Sequence, residues 1–293
     1  MAAYKKINLI LLAGSLLGAA TAAPAQTNPK GHLFIIGGGN RDDQVIARFA
    51  ELAGGKSAPM VVIPLASGDP VDAAKTQVDQ LKRLGAGDVE GVIFKKGEAD
   101  REENLAKVRR AKAVFFTGGD QVTLVSFLAG TKMLEEIRRI YDEGGVVGGT
   151  SAGAAIMSRV MLTGDDRLAG KDEESFRAIR SSAVVTAEGF GFVPANIVID
   201  QHFLARKRQN RLISVVLEHP GMTGIGIDEA TAFIVGPGGE AEVLGASLVT
   251  VFETAAAGPV TSDALGHLAA KGITMHLLKS GDKYTLPVSG AVK

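Results

Sequence analysis

Gly149-Thr150-Ser151-Ala152-Gly153 is a G-x-S-x-G pentapeptide, a spacing suited to covalent chemistry. A serine hydroxyl becomes an exposed nucleophile on a sharp strand-to-helix turn, and the flanking glycines let backbone pass close by. The N–H groups that open the following helix then face a substrate carbonyl. The plainer reading is a Gly-rich turn with a helix-capping serine. Context favours the nucleophile: apolar Val146-Val147 precedes the motif, and a small-residue, helix-competent run to Met157 follows it.

Activating Ser151 takes a general base, most often His. Of the five His, His202 stands apart because it follows an apolar run at 197–199, within Asp200-Gln201-His202-Phe203. His32 abuts the N-terminal region, His219 precedes Pro220 at a helix end, and His267 and His276 fall in the tail. A carboxylate must then fix the imidazole tautomer. Asp165 and Asp166 follow the Ser151 helix, whereas Asp228 and Glu229 follow Gly224-Ile225-Gly226-Ile227, and composition does not choose between the pairs. The N–H groups of Gly119 and Ala152 are candidates for an oxyanion hole. Arg206-Lys207-Arg208-Gln209-Asn210-Arg211 is the densest basic run. On a helix, Arg206 would share the face of His202, and Arg208 that of Arg211. Guanidiniums bind carboxylates bidentately, so this cluster would recognise an acidic group; the plainer reading is a solvated helix face.

These groups need elements to position them. Apolar runs at 32–36, 60–65, 89–94, 113–116 and 146–148 alternate with helical stretches at 42–53, 71–84, 102–112, 122–128 and 133–143. Wholly apolar strands alternating with helices make a mainly parallel sheet covered on both faces. Such sheets bind ligands beyond the carboxyl ends of their strands, where Gly37-Gly38-Gly39, Gly118-Gly119 and Gly149-Thr150-Ser151 fall. Residues 162–192 are polar and without clear period, and a basic helix is expected over 204–218. Strands at 223–227, 230–235, 241–244, 248–252 and 275–278 promise an antiparallel finish.

The whole chain has 293 residues, with 32 basic against 32 acidic side chains and no Cys. Zero net charge argues against a nucleic-acid binder held by a basic surface. The missing Cys excludes a disulfide scaffold, a Cys zinc site and a thiol nucleophile. Lys5 and Lys6, a Leu/Ala-rich run at 7–22 and the small residues Ala20 to Ala25 form a secretory leader, with cleavage expected after Ala22 or Ala25. No repeat or long linker follows, so residues 1–25 read as signal peptide and 26–293 as a single α/β domain of an exported protein, periplasmic or extracellular.

Phe116-Thr117-Gly118-Gly119-Asp120-Gln121, Gly148 to Ala154, Asp200-Gln201-His202-Phe203, the three Arg and Gly224 to Ala232 together resemble the motifs of cyanophycinases, in order across residues 31–252. These belong to the serine peptidase family that also contains peptidase E, the aspartyl dipeptidase. The resemblance implies a fold similar to class I glutamine amidotransferases, with Ser replacing Cys. It implies a Ser-His-Glu triad of Ser151, His202 and Glu229, with Asp166 as the reserve carboxylate. It implies a substrate pocket of Gln121, Asp200, Gln201, Arg206, Arg208 and Arg211. Peptidase E lacks this Arg pattern. The implied partner is cyanophycin, a poly-aspartate with Arg on each β-carboxyl, cut to β-Asp-Arg through an acyl-enzyme. No metal or organic cofactor is needed; no nucleic acid and, after leader removal, no membrane is expected as partner, and a homodimer is left open. The departure is 168–189, longer and more charged than the resemblance leads one to expect. The alternatives are a peptidase E-like aspartyl dipeptidase and a non-catalytic binding protein in which Ser151 merely caps a helix. An α/β-hydrolase esterase fits poorly, since only 51 residues separate Ser151 from His202.

Overall fold

The computed structural model describes residues 29–40, 42–167 and 177–287. The expected leader lies outside the described residues, as do residues 168–176 of the charged stretch. The chain runs β1 (His32–Ile36), α1 (Asp43–Leu52), β2 (Pro59–Ile63), α2 (Pro70–Arg83), β3 (Asp88–Gly91), α3 (Glu102–Arg110), β4 (Ala113–Phe116), α4 (Gln121–Leu128), α5 (Lys132–Asp142), β5 (Val146–Thr150) and α6 (Ala152–Ala155). It continues through β6 (Val160–Asp166), β7 (Val184–Glu188), β8 (Ile197–Gln201), α7 (Gln209–Glu218), β9 (Thr223–Ile227), β10 (Thr231–Val235), β11 (Glu240–Gly245) and β12 (Val249–Glu253). It ends in β13 (Thr261–Ser262), β14 (Leu268–Ala269), β15 (Thr274–Leu278) and β16 (Lys283–Thr285).

Among the described residues the main sheet has eight strands in the order β16-β11-β10-β1-β5-β4-β2-β3. The half from β1 to β3 is parallel, and β10, β11 and β16 add antiparallel strands. A second sheet, β15-β12-β9-β8, pairs β8 and β9 in parallel and adds β12 and β15 antiparallel. The fold is thus a mainly parallel sheet flanked by helices with antiparallel strands toward the C-terminus, as the sequence predicts.

The period of two along the central strands sorts the core. Phe34, Ile36, Met60, Val62 and Phe115 face Val45, Ile46, Phe49 and Leu81 of α1 and α2. Leu33, Ile35, Val61, Ile63, Val114, Phe116 and Val147 face the other way, toward α3, α4 and α5 and toward Ile199, Ile225 and Val251 of the second sheet. The apolar faces of both sheets therefore close one core, with α6 between them.

Register aligns the functional loops. Ile36 is level with Thr150, and Phe116 with Gly149, so the chain leaves β1, β4 and β5 at the same edge. In the second sheet Gln201 is level with Ile227, so His202 and Asp228 leave together.

Three features differ from the sequence reading. The basic helix starts at Gln209, not at 204, because Lys207 is left-handed (φ 52°) and Asp228 holds the Leu204 and Ala205 N–H groups. Arg206 therefore approaches His202 through a turn, its N–H donating to the His202 carbonyl, and not along a helix face. The aperiodic stretch after the Ser151 helix contains the β6–β7 hairpin, whose register shifts between Leu162 and Asp166 and blurs any alternation. Finally, β16 extends the main sheet beyond β11, a pairing too short to leave a sequence signature.

Candidate active site

Ser151 occupies the turn from β5 into α6 with φ 53° and ψ −110°, a conformation that a non-glycine residue holds only when its surroundings enforce it. Its N–H is tied to the Ile36 carbonyl at 3.1 Å. A methyl on Gly149 would lie 2.5 Å from the Gly153 carbonyl carbon, and one on Gly153 2.5 Å from the Phe116 carbonyl oxygen. Both motif glycines are thus required by close backbone packing around the turn. The Ser151 side chain makes no capping bond to the helix it precedes. Its Oγ lies 2.9 Å from His202 Nε2 instead.

His202 follows β8, is 6% exposed and has φ 49°. Its N–H donates to the Gly37 carbonyl at 2.7 Å. Nδ1 lies 2.5 Å from Glu229 Oε1. A carboxylate only accepts, so Nδ1 carries the proton and Nε2 is left to accept from the serine hydroxyl. Burial pushes the His202 pKa down; the Glu229 bond pulls it up, the Arg206 and Arg208 charges lower it further, and the net direction is down. The ring is therefore neutral at neutral pH, with Nε2 free to accept a proton.

The carboxylate at His202 is Glu229. Its neighbour Asp228 accepts from Leu204 and Ala205 N–H and from Ser247 Oγ. Asp165 is exposed and bonded to Thr163 Oγ1 at 3.3 Å; Asp166 ends β6, and its side chain lies outside the description. The other histidines are engaged elsewhere: His267 with Asp263, His276 near Glu253, His219 closing α7 and His32 near Arg48 and Glu242.

The Gly37-Gly38-Gly39 loop forms a wall against this pair. A methyl on Gly38, where φ is 108°, would lie 2.5 Å from His202 Nε2, and one on Gly39 would lie 2.6 Å from Glu229 Cβ. Sequence reasoning placed this loop at a strand end but missed that it touches base and carboxylate; the run of three Gly was the available signal. On the opposite side a methyl on Gly118 would lie 3.2 Å from Ser151 Cβ, which brings Gly118-Gly119 beside the serine. Among the described residues neither the Gly119 nor the Ala152 N–H has a backbone acceptor.

The remaining candidates divide by exposure. Arg206 is exposed, with Nε 4.0 Å from Glu229 Oε1. Arg208 is half-buried, donates Nη1 to the Gln201 carbonyl at 2.8 Å, and has its pKa lowered to about 10 by burial and by the Arg211 charge. Gln201 is buried, and its Oε1 has no hydrogen-bond partner among the described residues. Gln121, first residue of α4, is turned inward, its Nε2 donating to the Leu162 and Thr163 carbonyls. Asp120 caps α4 through Val122 and Thr123 N–H and so fixes where Gln121 starts. Asp200 and Arg211, expected in the substrate pocket, are each 1% exposed and form a two-bond ion pair with one another. With both charged groups sealed from solvent, the pair braces β8 against α7.

Residues 33–243 match the model of Peptidase family S51. The chain is 32% identical over 265 residues to a cyanophycinase of Synechococcus elongatus, covering 88% of this chain and 80% of that protein. It is 33% identical over 275 residues to a cyanophycinase of Geminocystis herdmanii, covering 89% and 97%. Among solved structures, a peptidase from an acI-B1 actinobacterium superposes with a TM-score of 0.64 at 24% identity, over 89% of this chain and 99% of that one. A match across both sheets and the serine turn makes this chain a member of peptidase family S51, a serine-type peptidase of the cyanophycinase and peptidase E kind.

Proposed function

We propose that the protein is a cyanophycinase that cuts the poly-aspartate backbone of cyanophycin and releases β-Asp-Arg. One observation carries the catalytic part: Ser151 Oγ makes no capping bond to its helix and meets His202, which in turn meets Glu229. A serine that merely capped a helix would bond the N–H groups of that helix. The polymer as substrate is supported by relatives that carry the cyanophycinase name and align over 80% and 97% of their own length.

In this reading His202 Nε2 takes the Ser151 proton as Oγ attacks the α-peptide carbonyl between two Asp residues. The N–H groups of Gly119 and Ala152 hold the developing oxyanion. His202 passes its proton to the leaving amine, and an acyl-enzyme remains. Water, deprotonated by His202, hydrolyses it and restores Ser151. Glu229 keeps Nδ1 protonated and stabilises the imidazolium in both halves. Arg206 and Arg208 bind a free substrate carboxylate. The cationic, then apolar, then Ala-rich start of the chain supports export, so that the enzyme digests polymer outside its own cytoplasm.

The test is incubation of the protein and its Ser151→Ala variant with insoluble cyanophycin, followed by analysis of soluble products. Release of β-Asp-Arg by the parent alone is expected. No release by the parent overturns the substrate, and undiminished release by Ser151→Ala overturns the nucleophile. Cleavage of aspartyl dipeptides with the polymer untouched would replace this reading by a peptidase E-like one.

A further inference from the structure

The base and its carboxylate come from segments 27 residues apart in the chain, yet they must hold one geometry. Both segments hold costly conformations, each tied to the glycine loop, by the His202 N–H to the Gly37 carbonyl at 2.7 Å and by the Ala230 N–H to the Gly38 carbonyl at 2.9 Å. His202 has φ 49°, and Ala230, directly after Glu229, has φ 53°. Something beside the pair must hold these turns in place.

We propose that Asp228 is the positioning residue for the His202–Glu229 pair; this rests on the triad reading above. Asp228 is 7% exposed and immediately precedes Glu229. Its Oδ1 accepts from the Leu204 N–H at 3.0 Å and the Ala205 N–H at 2.9 Å, in the turn that follows His202. Its Oδ2 accepts from Ser247 Oγ at 2.7 Å. Ser247 lies in the connection between β11 and β12, and its N–H donates to Thr231 Oγ1, whose hydroxyl donates to the Glu229 carbonyl at 3.1 Å. One carboxylate thus joins the turn behind the base, the segment of the acid and a third stretch of chain that braces both.

Asp228 does not touch the imidazole and is not among the charges that move its pKa. Its influence is therefore geometric: it supplies acceptors at fixed points. An amide of the same shape can do the same, its oxygen accepting both backbone N–H groups and its nitrogen donating to Ser247 Oγ. Positioning shells of this kind decide whether a site is held to about 0.5 Å of its productive geometry.

The test uses a fluorophosphonate reagent, in which Ser151 Oγ displaces fluoride from phosphorus, so that serine reactivity is read without any peptide substrate. Ser151→Ala supplies the background. Maximal labelling rate and reagent affinity are measured separately for Asp228→Ala, Asp228→Asn and Ser247→Ala, with the unfolding midpoint of each. A displacement approaching 1 Å slows a reaction about 10²-fold, so Asp228→Ala is expected to label about tenfold or more slowly at unchanged affinity. Asp228→Asn should stay within about threefold of the parent, with Ser247→Ala in between. A folded Asp228→Ala that labels at the parental maximal rate overturns the proposal, because a purely structural role moves the unfolding midpoint alone. Equal slowing in Asp228→Asn overturns it too, since charge and not geometry would then matter. If Asp228→Ala does not fold, Ser247→Ala decides: slowing upholds the proposal and the parental rate overturns it. A parent that does not label at Ser151 removes the triad, and this inference with it.

Discussion

Replacing Gly38 by Ala should disable the enzyme without altering any group that takes part in the chemistry. The added methyl would lie 2.5 Å from His202 Nε2, whereas unbonded heavy atoms rest at about 3.5 Å, so the ring must retreat by about 1 Å. In the proposed mechanism Nε2 takes the Ser151 proton, and it lies 2.9 Å from Ser151 Oγ. A misplacement of about 1 Å costs about 10²-fold in rate, or about 2.7 kcal/mol of barrier. Gly38 also has φ 108°, and holding alanine there costs about 1–3 kcal/mol of stability. For a chain of this size that lowers Tm by roughly 2–12 °C. The assay is initial-rate hydrolysis of cyanophycin, with kcat and KM resolved, beside a thermal melt. The loss should fall on kcat, because Gly38 meets the base and no group assigned to substrate binding. Gly258→Ala, where a methyl meets only the Lys271 carbonyl at 3.7 Å, is the neutral control. A folded Gly38→Ala with kcat within threefold of the parent would refute the idea that this loop holds the imidazole against the serine.

The acid limb of the pH–rate profile should have its midpoint below 6.5, because burial lowers the His202 pKa from that value and only the neutral ring accepts the serine proton. Arg206→Gln should move the midpoint upward, most clearly at low salt, since the Arg206 charge helps to lower it. A group whose folded pKa is lowered takes up its proton more readily in the unfolded chain. The His202 contribution to stability is therefore lost as pH falls below about 6.5, and a midpoint above that value would contradict the buried, neutral base. Arg211→Leu leaves the Asp200 carboxylate buried without its partner and should destabilise by about 3–5 kcal/mol in denaturant titration. The Asp200→Leu/Arg211→Leu double variant should recover much of that loss, and a single-variant loss under about 1 kcal/mol would show that the carboxylate is not sealed in.

Much of this was legible in the chain because it rests on short-range rules. The apolar strands alternate with helices, and Gly-rich loops punctuate their ends, so the sheet and its functional edge follow from local pattern. The serine turn was legible for the same reason: only glycine fits at Gly149 and Gly153. The choice among Asp165, Asp166, Asp228 and Glu229 was not legible from composition, because it depends on how the second sheet docks. Resemblance to a family points to Glu229, and Glu229 Oε1 is the carboxylate oxygen that meets His202 Nδ1. The Arg run misled in part: helix periodicity paired Arg206 with His202 correctly but for the wrong reason, since Lys207 and Asp228 bend the chain before the helix begins. It also hid that Arg211 faces inward, because a buried ion pair and a solvated charge look alike in a sequence.

The serine of the proposed triad leaves one sheet, and its histidine and carboxylate leave another. Ser151 follows β5, while His202 and Glu229 follow β8 and β9, and the two sheets meet through a shared apolar core. Neither sheet alone contains a hydrolytic group, since an isolated serine hydroxyl is inert and an isolated imidazole has nothing to activate. In that reading hydrolytic power belongs to the completed assembly of both sheets. During refolding, helix and strand signals should return before activity does. A chain with one sheet formed and the other unformed should therefore cut no polymer.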